Sequence, residues 1–101
     1  MNKYQVIMEI WKARGAFDPS KEDFFECACS NPAGVDAEEV IAVFGTKEDA
    51  LAELAKHKCT YEKWENYNET RFELYTVEEI IYDEDGDIED YEFIRYADVE
   101  I

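Results

Sequence analysis

Three features of this sequence predict a single α+β domain over residues 1–101: an antiparallel sheet of four to five strands, one main helix packed on one face, and an acidic C-terminal hairpin. Apolar residues alternate with polar ones near the start and again beyond residue 71, one central segment has helical spacing, and only 4 Gly and 2 Pro interrupt the chain. The composition is 47% hydrophobic and 15% aromatic, which supplies the apolar surface that disordered acidic tails lack. A domain of this length buries about two-thirds of the surface its unfolded chain exposes. Short connections favour antiparallel pairing of the strands.

Each element follows from its local pattern. Tyr4, Val6, Met8 and Ile10 alternate with Gln5, Ile7, Glu9 and Trp11, which predicts a strand over 3–13. Asp18-Pro19-Ser20-Lys21-Glu22-Asp23 carries helix-start signals, whereas Phe24-Phe25-Glu26-Cys27-Ala28-Cys29 equally suits a short strand, and the strand is favoured. Asn31-Pro32-Ala33-Gly34 breaks whatever precedes it. Glu39 to Phe44 is β-branched and aromatic and is bounded by Gly45, the pattern of a buried strand; Asp36-x-x-Glu39 offers a short capped helix as the alternative.

Thr46-x-x-Asp49 opens a helix expected over 47–58, with Ala50, Leu51, Leu54 and Ala55 on one face and Glu53 spaced to pair with His57. Thr60 to Asn68, holding Tyr61, Trp64 and Tyr67, reads as a loop or irregular extension. Arg71 to Asp83 is a long strand, Asp83-Glu84-Asp85-Gly86-Asp87 a turn with Asp-Gly at its centre, and Ile88 to Ala97 the return strand. Glu78-Glu79 disturbs the alternation between Leu74, Thr76 and Ile80, Tyr82, which suggests a bulge or a register change.

Charge restricts the partners. The chain carries 26 acidic against 10 basic residues, a formal net charge of −16, and such a field repels nucleic acid and anionic membrane while attracting basic proteins. Direct nucleic-acid binding and membrane association are therefore not expected. Residues 73–101 hold 12 acids and the single base Arg95, so the excess is concentrated on the hairpin and its flanks. The longest apolar run, Val40 to Phe44, is far short of the roughly 18 residues that span a bilayer. The start of the chain shows no secretory pattern, so the expected location is cytoplasmic, with thiols reduced. The Asn68-Glu69-Thr70 sequon is then a chance match.

The residue types that carry chemistry are present without the spacing that chemistry requires. Cys27, Cys29, His57 and Cys59 form a Cys₃His set, but one residue between paired cysteines does not suit a zinc turn, and whether the four come together is left open. Asp83-x-Asp85-Gly86-Asp87 places its glycine fourth, where a calcium loop needs it sixth. Gly15, Gly34, Gly45 and Gly86 form no phosphate-binding loop, and no nucleophile-elbow sequence exists. The chain is read as a non-enzyme with no metal and no cofactor.

What remains is a partner-binding surface. Carboxylates two residues apart on a strand share a face at roughly 6.6 to 6.8 Å, comparable with successive phosphates on a nucleic-acid strand. Asp87 and Glu89, Asp90 and Glu92, and Asp98 and Glu100 have that separation. Glu73, Glu79, Asp83, Glu84, Asp85, Asp87, Glu89, Asp90 and Glu92 are the expected phosphate stand-ins, with Tyr75, Tyr82 and Tyr91 as anchors, because tyrosine adds apolar area with a polar tip. The expected partner is a basic surface on a nucleic-acid-handling protein. The alternative is an interaction module, such as a homodimer paired through edge strands, whose charge serves solubility alone.

In size, charge and its tyrosine-rich acidic hairpin, the sequence resembles the short acidic proteins of bacteriophages and mobile elements, which include inhibitors of nucleases and of restriction or CRISPR effectors. The resemblance implies an inhibitor that mimics nucleic-acid charge, and it carries over no functional residue.

Overall fold

The computed structural model of the chain describes residues 2–29 and 34–100. Among these residues it is a small, sheet-dominated α+β fold of five strands and two helices. In chain order these are β1 (Lys3–Arg14), α1 (Phe24–Ala28), β2 (Ala37–Phe44), α2 (Lys47–Leu54), β3 (Thr60–Trp64), β4 (Glu69–Tyr82) and β5 (Ile88–Tyr96), with a 3₁₀ turn at Glu65–Tyr67 between β3 and β4.

All strand pairs are antiparallel, in the order β2-β1-β4-β3 with β5 also on β4. β1 occupies one edge of β4 from Glu69 to Ile80, so β3 and β5 share the other edge end to end, β3 along Glu69–Glu73 and β5 along Thr76–Tyr82. The chain beyond β5 closes the junction. Ala97 N–H donates to Tyr75 O at 2.8 Å, Cys59 N–H to Asp98 O at 2.8 Å, and Glu100 N–H to Cys59 O at 2.9 Å, forming a parallel bridge between Cys59 and Val99.

Paired residues share a face, so the registers sort the side chains. One face carries Tyr4, Val6 and Met8 with Tyr75, Val77 and Glu79, and α2 covers it through Ala50 and Leu54; His57, just past the helix, stacks on Tyr75 at 4.5 Å and 17°. The other face carries Ile7, Glu9 and Trp11 with Phe72, Leu74 and Thr76, and α1 packs there. Phe72, fully buried, takes the edges of Phe17 at 5.4 Å and Phe24 at 5.1 Å, while Phe25 stacks on Tyr96 at 4.4 Å.

The expectation of one main helix on one face is thus corrected: two helices cover opposite faces. Residues 24–28, favoured as a strand, are helical because the Asp23 carboxylate caps the Glu26 N–H at 3.0 Å and Phe24 and Ala28, four apart, are buried together. Thr46 caps α2 as expected, its hydroxyl accepting from Asp49 N–H at 3.2 Å, and Glu53 meets His57 at 3.2 Å. The helix ends at Leu54, short of the expected Lys58, because Lys56 and His57 N–H turn to the carbonyls of Glu53 and Leu54, three residues back.

Residues 60–64, expected as part of a loop or irregular extension, form β3, because Tyr61 lies opposite Phe72 and packs on Phe17 at 5.0 Å. β2 is a strand but not a buried one: at the sheet edge, it leaves Val40, Ile41 and Val43 exposed. The expected irregularity in β4 is present as a register shift between Val77 and Glu78 against β5. The break expected at Asn31-Pro32-Ala33 lies outside the described residues.

Candidate functional site

The link between β4 and β5 is organised by its first acid. Asp83 Oδ1 accepts from Asp85 N–H at 2.9 Å and Asp87 N–H at 3.0 Å, Asp83 N–H donates to Asp87 O at 2.8 Å, and Gly86 takes φ 84°. Asp83 is therefore committed to the turn, an Asx-type arrangement, and glycine occupies the left-handed position that L side chains resist. Glu84, Asp85 and Asp87 are exposed around it.

Behind the turn, register places Glu92 opposite Glu79 and Asp90 opposite Ile81, so Asp90, Glu92 and Glu79 share the face that α2 covers further along the sheet. Asp90 and Glu92 are exposed, and Glu79 is half-buried, its carboxylate accepting from Asn2 Nδ2 at 2.8 Å. Glu89 falls at a second register shift and has no partner position in the ladder. Arg95, the base of this region, is 3.4 Å from Asp98.

Glu73 lies elsewhere. It is opposite Ile10 and Thr60, six residues along β4 from Glu79, roughly 20 Å away at strand rise. Tyr75 is half-buried under His57 and Tyr82 is half-buried opposite Ile88; of the three expected anchors only Tyr91 is exposed, on the face opposite to the Asp90 and Glu92 carboxylates.

That opposite face holds, beside Tyr91, residues the sequence reading did not single out. The register aligns Val43 and Val40 of β2, Gln5 and Ile7 of β1, Glu78 and Ile80 of β4, and Phe93, Tyr91 and Ile88 of β5 on one side. Of these, Val40, Val43, Ile88, Tyr91 and Phe93 are 48 to 55% exposed, because α1, five residues long, reaches only as far as Phe72 and Tyr96. Their signal is the alternation of Tyr91 and Phe93 around Glu92, which the acid counts concealed. Glu9, Glu38 and Glu78 belong to the same face. Burial, then the field of Glu38 and of Glu9, pushes the Glu78 carboxyl up; Glu9 is raised by burial, partly offset by the Trp11 indole N–H at 2.8 Å.

The thiols point to different partners. Cys27 lies 2.8 Å from a Glu22 carboxylate oxygen, Cys29 is 3.9 Å from the Tyr96 hydroxyl, and buried Cys59 faces the carbonyls of Tyr75 and Ala97. The hydrogen bond to Glu22, burial and the field of nearby acids push Cys27 up to about 11, and burial raises Cys29 and Cys59. Such thiols stay protonated at neutral pH and are poor nucleophiles. Among the described residues no group of three or more His, Cys, Asp or Glu side chains is placed to hold a metal ion, and no helix is long and apolar enough to cross a membrane.

A cleft of about 700 Å³ beside the 15–22 loop is lined by both Lys12 and Arg14 and by Glu22 and Glu69, without a dominant charge. No protein family, curated protein or solved structure is similar enough to this chain to match it.

Proposed function

We propose that this chain is a small acidic binding protein, without catalysis or cofactor, that occupies a basic surface of a nucleic-acid-handling protein in place of the polyanion. The observation that supports this reading is the placement of Asp90 and Glu92 on one side of the β5 ladder, with Glu79 beside them and Glu84, Asp85 and Asp87 around the adjoining turn. These carboxylates form one acidic end on an elongated molecule of 49 × 27 × 20 Å. A groove whose lysines and arginines release counterions when phosphates bind has the same attraction for such a row. Glu73 and Tyr75 are not part of the proposed surface, and Asp83 contributes by holding the turn.

Capture of partners from lysate at low and high ionic strength tests the reading. The captured proteins should include nucleic-acid-binding proteins, be displaced by duplex DNA and be lost at high salt. A variant with Asp85→Asn, Asp87→Asn, Asp90→Asn and Glu92→Gln should capture none of them. Unchanged capture by that variant, or indifference to DNA, overturns the proposal.

The second reading, an edge-strand homodimer, is favoured by the outer edge of β2, which pairs with no strand among the described residues and exposes Val40, Ile41 and Val43. A charge of −16 on each copy opposes it. Sedimentation over a range of concentrations separates the two, since the mimic stays monomeric.

A further inference from the structure

The sheet face left open by α1 is four strands wide where β2, β1, β4 and β5 lie side by side. Val40, Val43, Ile88, Tyr91 and Phe93 stand on it about half exposed around the buried Ile7 and Ile80. Strands about 4.8 Å apart, over roughly four residues of each, make a patch on the order of 300 Å². The face is less than half of the roughly 800 Å² that one partner contributes to a specific interface, and its apolar residues lie on both sides of the polar pair Gln5 and Glu78.

Charge on this face determines the partner. Glu9 and Glu38 face each other across β1 and β2 at one margin, Glu78 lies within the face between Gln5 and Phe93, and Lys3, opposite Ile80, is the cation among them. An aromatic sheet face would suit stacked bases, but these carboxylates and the net charge of −16 repel the phosphates that bases bring with them. A second copy of this chain brings the same carboxylates and the same charge, and is opposed for the same reason.

We infer that this face docks a protein segment whose apolar side chains are flanked by lysine or arginine, the apolar groups covering Ile88, Tyr91 and Phe93 and the cations meeting Glu9, Glu38 and Glu78. The inference rests on the acidic-binder reading and adds to it a second, apolar contact on the side opposite Asp90 and Glu92.

Two labelled synthetic peptides of equal length and charge test it by fluorescence anisotropy, one alternating leucine with lysine and one alternating serine with lysine. The leucine peptide should bind at least about tenfold more tightly, the discrimination that one well-buried side chain supplies. That margin should vanish in the variant with Tyr91→Ser and Phe93→Ser, whose exposed positions leave the core intact, and should shrink in Val40→Thr on the far strand. Circular dichroism confirms the fold of each variant. If both peptides bind equally and both weaken with Asp90→Asn and Glu92→Gln, the face proposal is overturned while the charge reading stands. Failure of both peptides to bind in dilute buffer overturns the two together. A dimer in sedimentation that Phe93→Ser dissolves makes the occupant a second copy and likewise overturns the inference.

Discussion

Glu78 shows what a carboxylate costs on a half-covered sheet. Burial and the neighbouring charges of Glu38 and Glu9 raise its pKa above the ordinary 4.5, so the folded chain holds this proton more tightly than the unfolded chain does. Stability from this group is therefore fully present below pH 4.5 and is lost as pH rises through the raised value. Glu9, raised in the same direction, adds to the effect. Glu78→Gln removes the titration while keeping the shape. The variant should melt higher than the parent at neutral pH, with the gap closing below about pH 4.5. Thermal melts at several pH values check this, and a variant less stable at neutral pH would mean that Glu78 is held by attraction instead.

At the scale of elements, local signals decided what was legible. The alternation in β1, the Thr46 cap of α2 and the Asp-Gly turn before β5 depend on residues a few positions apart, and they are present where the pattern places them. α1 combines a local cap with a distant partner, and β3 depends on a distant partner alone. Phe24 is helical because Asp23 caps the turn that delivers its ring to Phe72, and Tyr61 is in a strand because Phe72 lies opposite it across the sheet. Neither relation can be read from a five-residue window. The same division holds for the site: Asp90 and Glu92 share a face by spacing alone, whereas the separation of Glu73 and the burial of Tyr75 are set by pairing with Ile10 and Thr60 and by the His57 ring. The cap is open to a direct test. Thr46→Ala should cost about 1 kcal/mol in denaturant unfolding with an unchanged slope, because one N–H at the α2 N-terminus loses its acceptor.

For the whole molecule, net charge outweighs the individual ion pairs. Those described, including Lys12 with Asp36 at 3.5 Å, Lys58 with Asp98 at 3.6 Å and Lys56 with Glu53 at 3.8 Å, are at least partly exposed and contribute little. Repulsion among 26 acids is screened once the Debye length falls to about 8 Å near physiological ionic strength. The melting temperature should accordingly rise by roughly 4 to 8 °C between dilute buffer and physiological salt, the shift that about 1 kcal/mol produces in a domain of this size. Calorimetry in a salt series checks it, and a fall would show that attractive pairs dominate. The proposed partner binding moves the opposite way with salt, so one titrant distinguishes folding from function.

Since β4 forms ladders with β1, β3 and β5, the order of synthesis matters. On the ribosome β1 is made before β4, and its longest ladder waits until Ile80 has emerged, which at ordinary elongation speed takes on the order of ten seconds. During that interval the nascent chain can draw on the pairing of β1 with β2 and on the packing of α1 and α2 against them, while Ile7 and Trp11 lack the neighbours that the central strand supplies.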